Sequence, residues 1–521
     1  MPGSRIERHS QRTVSTPSLR RYDFEEMISR RDWLKSAGLG ALVAGGASGQ
    51  GARANGPNVL MISIDDMNDW IGVLGGHPQS LTPNIDALAK RGVTFRRAYC
   101  QAPACNPSRA SLMTGMRPTT SGCYTNGDVW RDAMPDAVTL PQHFMLHGYE
   151  VIGGGKTFHN TQNEAESWEY YNSFRGFLRA PNSPVNKFSS GHFDWSGLAV
   201  EDEDTADTQL AHWAAEYLSK DHARPFFMAC GFYRPHLPFY APQKYFDKFP
   251  EAETLLPSYL ESDLDDVPAA AINTASGRRS LQDHDNVTSS GQWKRAVAAY
   301  LACINFADAN VGRVLKALDS GPHADNTIIV LWTDHGWQFG EKKHWRKFTL
   351  WERACRVPII FAGPGVDAKG ELCDRTAELL DIYPTLSDLA GLPGREELDG
   401  ESLRPLLEDP QARWGHPALT SMGPDRNSIR TERWRYTSYP DGEELYDHDG
   451  DPNEWHNLAD APEHAETKRR LAALLPRNPS RKQVMQFQDL PAERRRLTEL
   501  LPDHYRASDA ANYVPLLPGP E

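Results

Sequence analysis

The sequence is poor in cysteine, lacks an excess of basic residues and contains no long hydrophobic run. Its seven cysteines are an odd number without regular CxxC spacing, which argues against both a zinc ribbon and a disulfide-stapled scaffold. The 56 basic residues are outnumbered by 69 acidic ones, and this formal net charge of −13 excludes a basic nucleic-acid binder. No apolar stretch is long enough for a transmembrane helix. We therefore expect no nucleic-acid partner and no stable membrane insertion.

The composition that remains is typical of a compact, loop-rich enzyme. Aliphatic, aromatic and cysteine residues make up 39% of the 521 residues, which is enough for a large buried core. A chain of this length forms about two to four domains, or one large α/β domain with an appendage. Because its acidity repels polyanions, an anionic partner has to be held by local positive charge or by a bound cation.

The first 54 residues have the pattern of a targeting segment. Arg30 and Arg31 precede a weakly apolar Gly/Ala run over residues 36–47, and a small-residue site follows at 52–54. This pattern resembles a twin-arginine export signal. We therefore expect the bacterial twin-arginine export machinery as a partner and a periplasmic or secreted location. Nine basic and five acidic residues lie in the segment, so its removal would change the net charge from −13 to −17.

Three apolar, β-rich runs predict buried parallel strands over residues 58–64, 224–230 and 326–332. Functional sites in α/β proteins lie beyond the carboxyl ends of such strands. Because all three runs end on polar residues, we expect these residues to meet at one edge of a sheet. The candidates that follow the three strands are Asp65, Asp66, His236, Asp334 and His335.

Helical patterns over residues 82–90, 205–218 and 293–318 alternate with these strands. The alternation predicts an α/β fold with a large, doubly wound, mixed or mostly parallel sheet flanked by helices. After residue 390 the pattern changes to short segments with turns, which predicts a smaller C-terminal α+β domain carrying a short antiparallel sheet. The predicted organisation is a signal segment over 1–54, a catalytic domain over 55–390, and a C-terminal domain with a tail over 391–521.

One long segment, residues 161–196, is polar, aromatic and interrupted by Gly, Pro and Asn. It is predicted to be a surface loop that can wall a pocket.

Cys105 opens a predicted turn into a helix, in the sequence Cys105-Asn-Pro-Ser-Arg109 followed by Leu112-Met-Thr-Gly115. A thiol near the positive end of a helix is a candidate nucleophile, although most such cysteines are structural. The motif resembles the signature of type I sulfatases of the alkaline phosphatase superfamily. The resemblance implies that a maturation enzyme oxidises Cys105 to formylglycine. Nearby Cys100 and Cys123 can pair with each other or remain buried thiols.

Other motifs extend the resemblance from about residue 57 to residue 459 and match best the iduronate-2-sulfatase-like branch. They are Gly155-Lys156-Thr-Phe-His159, Tyr233-Arg-Pro-His236-Leu-Pro238 and Asp334-His335-Gly-Trp337, with Lys347 shortly downstream. The segments 161–196 and 251–292 and the tail after residue 478 show no such match. We expect these unmatched segments to set the substrate.

Adjacent acidic residues at one sheet edge repel each other unless a cation neutralises them, which predicts a bound divalent metal. The imidazole of His335 favours a transition metal by ligand preference alone. The family resemblance instead implies one calcium ion, and another divalent metal stays open. The predicted metal-site residues are Asp65, Asp66, Cys105, Asp334 and His335.

The resemblance also implies the catalytic set, although a lone histidine or lysine is more often structural or solvated. In this interpretation the hydrated aldehyde made from Cys105 attacks sulfur, and Asp334 eases its deprotonation. His236 protonates the departing alkoxide, or Lys347 assists it, and His159 is the base that lets sulfate leave through C–O cleavage. Arg109 and Lys156 orient the aldehyde hydrate. The predicted catalytic residues are Cys105, Arg109, Lys156, His159, His236 and Lys347.

The predicted function is an exported sulfatase, exo-acting on a sulfated carbohydrate of glycosaminoglycan-like or algal type. Two alternatives stay open. One is a phosphodiesterase or phosphonate monoester hydrolase of the same superfamily, although two-metal phosphate hydrolases need more His and Asp ligands than this sequence offers. The other is a catalytically inactive glycan-binding relative, which the intact set of candidate residues argues against.

Overall fold

The computed structural model describes residues 56–159, 165–174, 192–276 and 280–489, together with 178, 180, 183–186 and 188. The predicted signal segment over 1–54 and the end of the tail lie outside the described residues. In the part of the chain that is described, no helix is long and apolar enough to cross a membrane.

An eight-stranded sheet forms the centre, with the strand order β12-β2-β11-β8-β1-β6-β3-β4. Strand β11 runs antiparallel to both of its neighbours, and the other pairings are parallel. This confirms the predicted mixed, mostly parallel sheet. Its strands are β1 Asn58–Ile64, β2 Gly92–Tyr99, β3 Glu150–Gly155, β4 Tyr170–Asn172, β6 Phe226–Phe232, β8 Thr327–Thr333, β11 Ile359–Ala362 and β12 Leu372–Glu378.

Helices cover both faces of this sheet. The side chains of β1 alternate between two hydrophobic cores, with Leu60, Ile62 and Ile64 in one and Val59 and Met61 in the other. The helices are α1 Pro83–Ala89, α2 Cys105–Thr114, α3 Pro118–Ser121, α4 Trp130–Ala133, α5 Leu140–Leu146, α6 Ala206–Leu218, α7 Gln243–Phe246, α8 Ala269–Ser276, α9 Ser280–Ser289, α10 Trp293–Ser320, α11 Glu352–Cys355, α12 Ile382–Leu389, α13 Arg404–Glu408 and α14 Ala465–Ala472.

A four-stranded antiparallel sheet follows near the C-terminus, in the order β13-β14-β15-β16. This confirms the predicted short antiparallel sheet, while the domain boundary after residue 390 stays a prediction. Its strands are β13 Ala418–Ser421, β14 Asn427–Arg430, β15 Trp434–Tyr439 and β16 Gly442–Asp447. Two further pairs join β5 Trp195–Leu198 to β7 Phe239–Pro242 and β9 Gln338–Phe339 to β10 Trp345–Arg346.

The prediction of a surface loop over 161–196 is wrong for the described part of that segment. Strand β4 pairs with the edge of the central sheet, and β5 begins at Trp195. Trp168, Phe193 and Asp194 are buried, and Asp194 accepts backbone hydrogen bonds from Val185 and Asn186. Trp168 and Phe193 are therefore core residues and not part of a pocket wall. Their burial depends on distant strands, which the composition of the segment does not indicate.

Candidate active site

Cys105 is the first residue of α2, where the first backbone N–H groups of a helix have no carbonyl partner within the helix and the local potential is positive. Strands β1, β6 and β8 are neighbours in the sheet, and the residues after β1 and β8 meet beside this helix start. The hydroxyl of Ser108 donates to the backbone carbonyl of Asp334 at 2.5 Å and so ties α2 to the end of β8. The three predicted strands therefore converge as expected.

Three buried carboxylates at this edge are matched by three buried cations. Arg109 donates from Nε to Asp334 Oδ2 at 2.9 Å and from Nη2 to Asp65 Oδ1 at 3.0 Å. Lys156 donates to Asp65 Oδ2 at 2.5 Å, and Lys347 donates to Asp66 Oδ1 at 2.7 Å. The sequence analysis expected a metal because unpaired acids would repel each other. That reasoning was wrong, since each of these carboxylates is paired with an arginine or a lysine.

The fit of a divalent metal rests instead on the donor atoms. One ligand atom each from Asp66, Cys105, Asp334 and His335 lies within 4.8 Å of the others. Among the described groups, Oδ2 of Asp66 accepts no hydrogen bond although it is buried. Carboxylate oxygens with one imidazole nitrogen suit a divalent cation. Asp65 belongs to an overlapping group with Asp66 and His236, and both of its oxygens already bind cationic side chains.

His335 is oriented by its own backbone neighbourhood. Its Nδ1 lies 3.0 Å from the carbonyl oxygen of Gly336 and therefore donates to it. Its Nε2 lies 3.2 Å from Asp66 Oδ1, 3.5 Å from Asp334 Oδ2 and 3.3 Å from Cys105 Sγ. Although burial lowers the pKa of His335, Asp334 and the other nearby anions raise it. The imidazole is therefore positioned either as a proton carrier or as a metal ligand beside the thiol.

Lys347 lies in a short segment with an unusual backbone. Arg346 and Phe348 on either side of it have φ angles of 81° and 75°, a region that non-glycine residues rarely adopt. His344 Nε2 donates to the Lys347 carbonyl at 2.7 Å, and Phe348 N–H donates to the carbonyl of Pro103 at 3.1 Å. Such conformations persist where the surroundings enforce them. The lysine is thereby fixed against the segment that leads into α2.

The two candidate proton-transfer histidines are placed differently. His236 donates from Nδ1 to the Leu237 carbonyl at 2.6 Å, and its Nε2 lies 3.8 Å from Asp66 Oδ2. His159 is buried, whereas the His236 side chain is partly exposed. Burial lowers the pKa of both histidines well below the ordinary value, and nearby Lys156 and Lys347 lower it further. Both imidazoles are therefore neutral in this arrangement and able to accept a proton.

The pKa values of Asp65 and Asp334 are shifted in opposite directions, although burial raises both. Burial raises the pKa of Asp65 to about 7, although Lys156 lowers it. For Asp334, burial also raises the pKa, but Arg109 and His335 outweigh that effect and hold it well below the ordinary value. The permanently charged side chains thus keep Asp334 ionised beside Cys105.

Two residues of the site carry no local sequence signal. The hydroxyl of Tyr300, in the N-terminal half of α10, donates to the Asp66 carbonyl at 2.7 Å and accepts from Asn68 N–H at 2.9 Å. The indole of Trp332 lies under Arg109, whose Cζ is 5.4 Å from its ring centroid. Both hold the site from positions that the sequence shows only as ordinary core residues.

Comparison with known proteins identifies the family. The family model described as Sulfatase matches residues 57–392, and the model described as N-sulphoglucosamine sulphohydrolase, C-terminal, matches residues 340–480. The chain therefore belongs to the sulfatase family, as its motifs predicted, and the enzyme is a sulfuric ester hydrolase.

Three relatives illustrate this similarity. A protein named sulfatase from Formosa agariphila is 38% identical, and the match covers 81% of this chain and 86% of that protein. Iduronate 2-sulfatase of Mus musculus is 31% identical over 64% of this chain and 69% of its own. A solved structure described as a 2-O GAG sulfatase matches with a TM-score of 0.64 and 26% identity, covering 81% of this chain and 91% of that one.

Proposed function

We propose that this sulfatase is an exported, exo-acting enzyme that removes sulfate from a sulfated carbohydrate, through a formylglycine made from Cys105 and one bound divalent cation, calcium. The substrate class draws support from the relatives named iduronate 2-sulfatase and 2-O GAG sulfatase. Export draws support from the paired arginines at 30 and 31.

One observation carries the proposal: the Cys105 side chain lies among groups suited to an anionic ester. Its Sγ is 2.9 Å from Lys347 Nζ, 3.3 Å from His335 Nε2 and 3.9 Å from Asp66 Oδ1. Three cations already balance three carboxylates here, so a divalent metal would leave an excess of positive charge for a sulfate ester. A serine or an unmodified cysteine would lack the second hydroxyl that lets an aldehyde hydrate expel sulfate.

The cation would be held by Asp66, Asp334 and His335 next to the residue at 105, with Asp65 beside them. It would lower the pKa of a bound hydroxyl and withdraw charge from sulfate oxygens. The protein's own groups do the rest. Lys347 bridges the residue at 105 and Asp66, so it supplies positive charge where the attacking oxygen and the ester meet. Neutral His159 can act as the base of the second step. His236 has to bind a proton at Nε2, 3.8 Å from the Asp66 carboxylate, before it can donate one to the departing alkoxide.

The structure changes the expected role of two residues. Arg109 donates to Asp334, Asp65 and the carbonyls of Lys156 and Thr157, so its hydrogen bonds hold the carboxylates in place. Lys156 donates to Asp65. We therefore assign to both a positioning role within the carboxylate cluster.

The test pairs mass spectrometry with turnover. Purified protein co-expressed with a formylglycine-generating enzyme should show the mass of the aldehyde on the peptide containing Cys105, and it should release sulfate from 2-sulfated uronic acid oligosaccharides. Full activity with only unmodified Cys105 would refute the formylglycine route. Much faster cleavage of phosphate diesters or phosphonate monoesters than of any sulfate ester would favour the alternative activity.

Export has its own test. With Arg30→Lys and Arg31→Lys combined, we expect the protein to stay in the cytoplasm of a host with a twin-arginine pathway, while the unchanged protein reaches the periplasm. Equal periplasmic amounts of both would contradict the proposed route.

A further inference from the structure

A cavity of about 330 Å³ lies between helix α8 and the turn that joins β13 to β14. None of its lining residues belongs to the predicted site. They are Ala270, Asn273, Thr274, Gly423, Pro424, Asp425, Arg426 and Pro440.

Both walls of this cavity contact segments that carry catalytic residues. On one wall, Thr420 Oγ1 donates to the Cys100 carbonyl at 2.6 Å, and Ser421 N–H donates to the Gln101 carbonyl at 2.8 Å. That segment leads directly into Cys105. On the other wall, α8 packs in one hydrophobic cluster with Leu350 and Trp351, which follow Lys347. Both walls are therefore connected through these contacts to the segments that carry Cys105 and Lys347.

The C-terminal segment 480–489, which we term the strap, connects the same turn to the start of α2. Arg481 binds the carboxylate of Asp425 with both of its terminal nitrogens. Tyr124 donates from its hydroxyl to the Ser480 carbonyl at 2.9 Å. The loop after Tyr124 reaches Asn106, whose N–H donates to Asn126 Oδ1 at 3.0 Å. The turn, the strap and the nucleophile helix thus form one connected surface.

Arg426 is the cationic residue of this cavity. It is half-buried and donates from Nη1 to Thr274 Oγ1 at 3.1 Å. Neighbouring Asp425 also lines the cavity and interacts electrostatically with Arg426, but its two oxygens form their hydrogen bonds with Arg481. Among the described residues no salt bridge to Arg426 is formed. By contrast, exposed Arg433, which immediately precedes β15, is paired with Asp447. A partly desolvated guanidinium with free donors is the preferred protein group for a planar or tetrahedral oxyanion.

We propose that Arg426, with Thr274 and Asn273, forms a subsite for a second anionic group of the substrate, either a uronate carboxylate or a second sulfate ester. This inference rests on the proposed carbohydrate substrate and adds to it a group that the enzyme recognises but does not cleave. It also accounts for how an acidic protein holds a polyanionic sugar, since the attraction is confined to the cleavage site and this cavity.

The test compares Arg426→Gln with the matched control Arg433→Gln on four substrates. They are a 2-sulfated uronic acid oligosaccharide, its carboxyl-reduced form, a disulfated neutral sugar and a small aryl sulfate. We expect Arg426→Gln to lower kcat/KM about ten- to hundredfold on a substrate with the second anionic group, mainly through KM. Turnover of the aryl sulfate should change by less than about twofold, since the reacting groups are untouched.

The arms separate the two sources of the anion. If Arg426 binds the carboxylate, kcat/KM of the wild type should fall about ten- to hundredfold on the carboxyl-reduced substrate. The same reduction should not lower kcat/KM of Arg426→Gln any further. If a second sulfate is recognised, the disulfated neutral sugar shows the loss instead. Equal losses on all substrates, or a loss no greater than that of Arg433→Gln, would overturn the subsite. Wild-type protein that cleaves the aryl sulfate but no sulfated sugar would refute the carbohydrate proposal itself, a result distinct from failure of the subsite.

Discussion

The Nζ of Lys347 lies 2.9 Å from the Sγ of Cys105 and 2.7 Å from Oδ1 of Asp66. The lysine therefore bridges the candidate nucleophile and a candidate metal ligand. Burial lowers the pKa of Lys347, but Asp66 and the other surrounding anions raise it above its ordinary value. A permanent positive charge at this point supports attack on an anionic ester, and the following predictions test that arrangement.

Cys105→Ala should lower turnover by about a thousandfold or more, because no other side chain can replace the proposed formylglycine as nucleophile. The loss of one buried sulfur should leave the protein folded. The measurements are sulfate release and the thermal midpoint. The matched control is Cys303→Ala, a buried thiol inside α10, which should retain turnover. Retained turnover in Cys105→Ala would contradict the assignment.

Arg109→Met should destabilise the protein by about 3 to 5 kcal/mol, because it leaves buried carboxylates without their partner. Arg109 is fully buried and pairs with Asp65 and Asp334. The change is measured by urea unfolding. As a control, Arg433→Met removes an exposed arginine and should leave the urea midpoint nearly unchanged. A similar small cost for both would show that the buried cluster tolerates the unpaired charge.

His344→Leu should lower kcat by about tenfold, because it releases the carbonyl of Lys347 and lets the lysine leave its position. Burial lowers the pKa of His344 to about 4, so the neutral imidazole is the donor. His344→Gln keeps a donor and should restore most of the rate. Steady-state kinetics with both variants checks this. If both lose kcat equally, or if only the thermal midpoint changes, His344 does not position the lysine.

Glu444→Gln should remove a pH dependence of stability. Burial raises the pKa of Glu444 to about 7 from 4.5, although Lys342 lowers it. A raised carboxyl pKa stabilises the fold below the unfolded pKa, and this contribution, about 3 kcal/mol, is lost as pH rises through the folded pKa. Wild type should therefore lose stability between about pH 5 and pH 8 relative to Glu444→Gln.

Urea unfolding of both proteins at several pH values measures this difference. Glu371→Gln, at an exposed position, serves as the control and should keep the wild-type slope. Parallel curves for wild type and Glu444→Gln would refute the prediction.

Removal of divalent metal with a chelator should lower both activity and the thermal midpoint, because a ligand that binds only the folded state stabilises it. Calcium should restore both. Asp66→Asn should weaken this response, since it removes the carboxylate shared by both candidate ligand groups. Metal analysis of the purified protein completes the test: zinc in place of calcium would contradict the choice of ion, and unchanged activity after chelation would contradict a metal role.

Three strands of the central sheet and three helices follow from the sequence because their signals are local. Apolar runs predicted β1, β6 and β8 to within a residue or two of their ends, and the helical pattern after residue 205 became α6. The motif around Cys105 indicated the family, because few local sequences place a cysteine, a proline and an arginine at these spacings. These features depend on neighbours in the chain.

What only the tertiary structure decided is how charges and distant segments are paired. The sequence placed carboxylates at a sheet edge but did not show that Arg109, Lys156 and Lys347 already compensate them. Nor did it show that Tyr300 binds the backbone of Asp66, or that residues 480–489 lie against the loop after α3. Such contacts join residues hundreds of positions apart, and no local periodicity encodes them. The sequence by itself determined which reactive side chains the protein has. The fold determined which of these side chains lie close enough to act together.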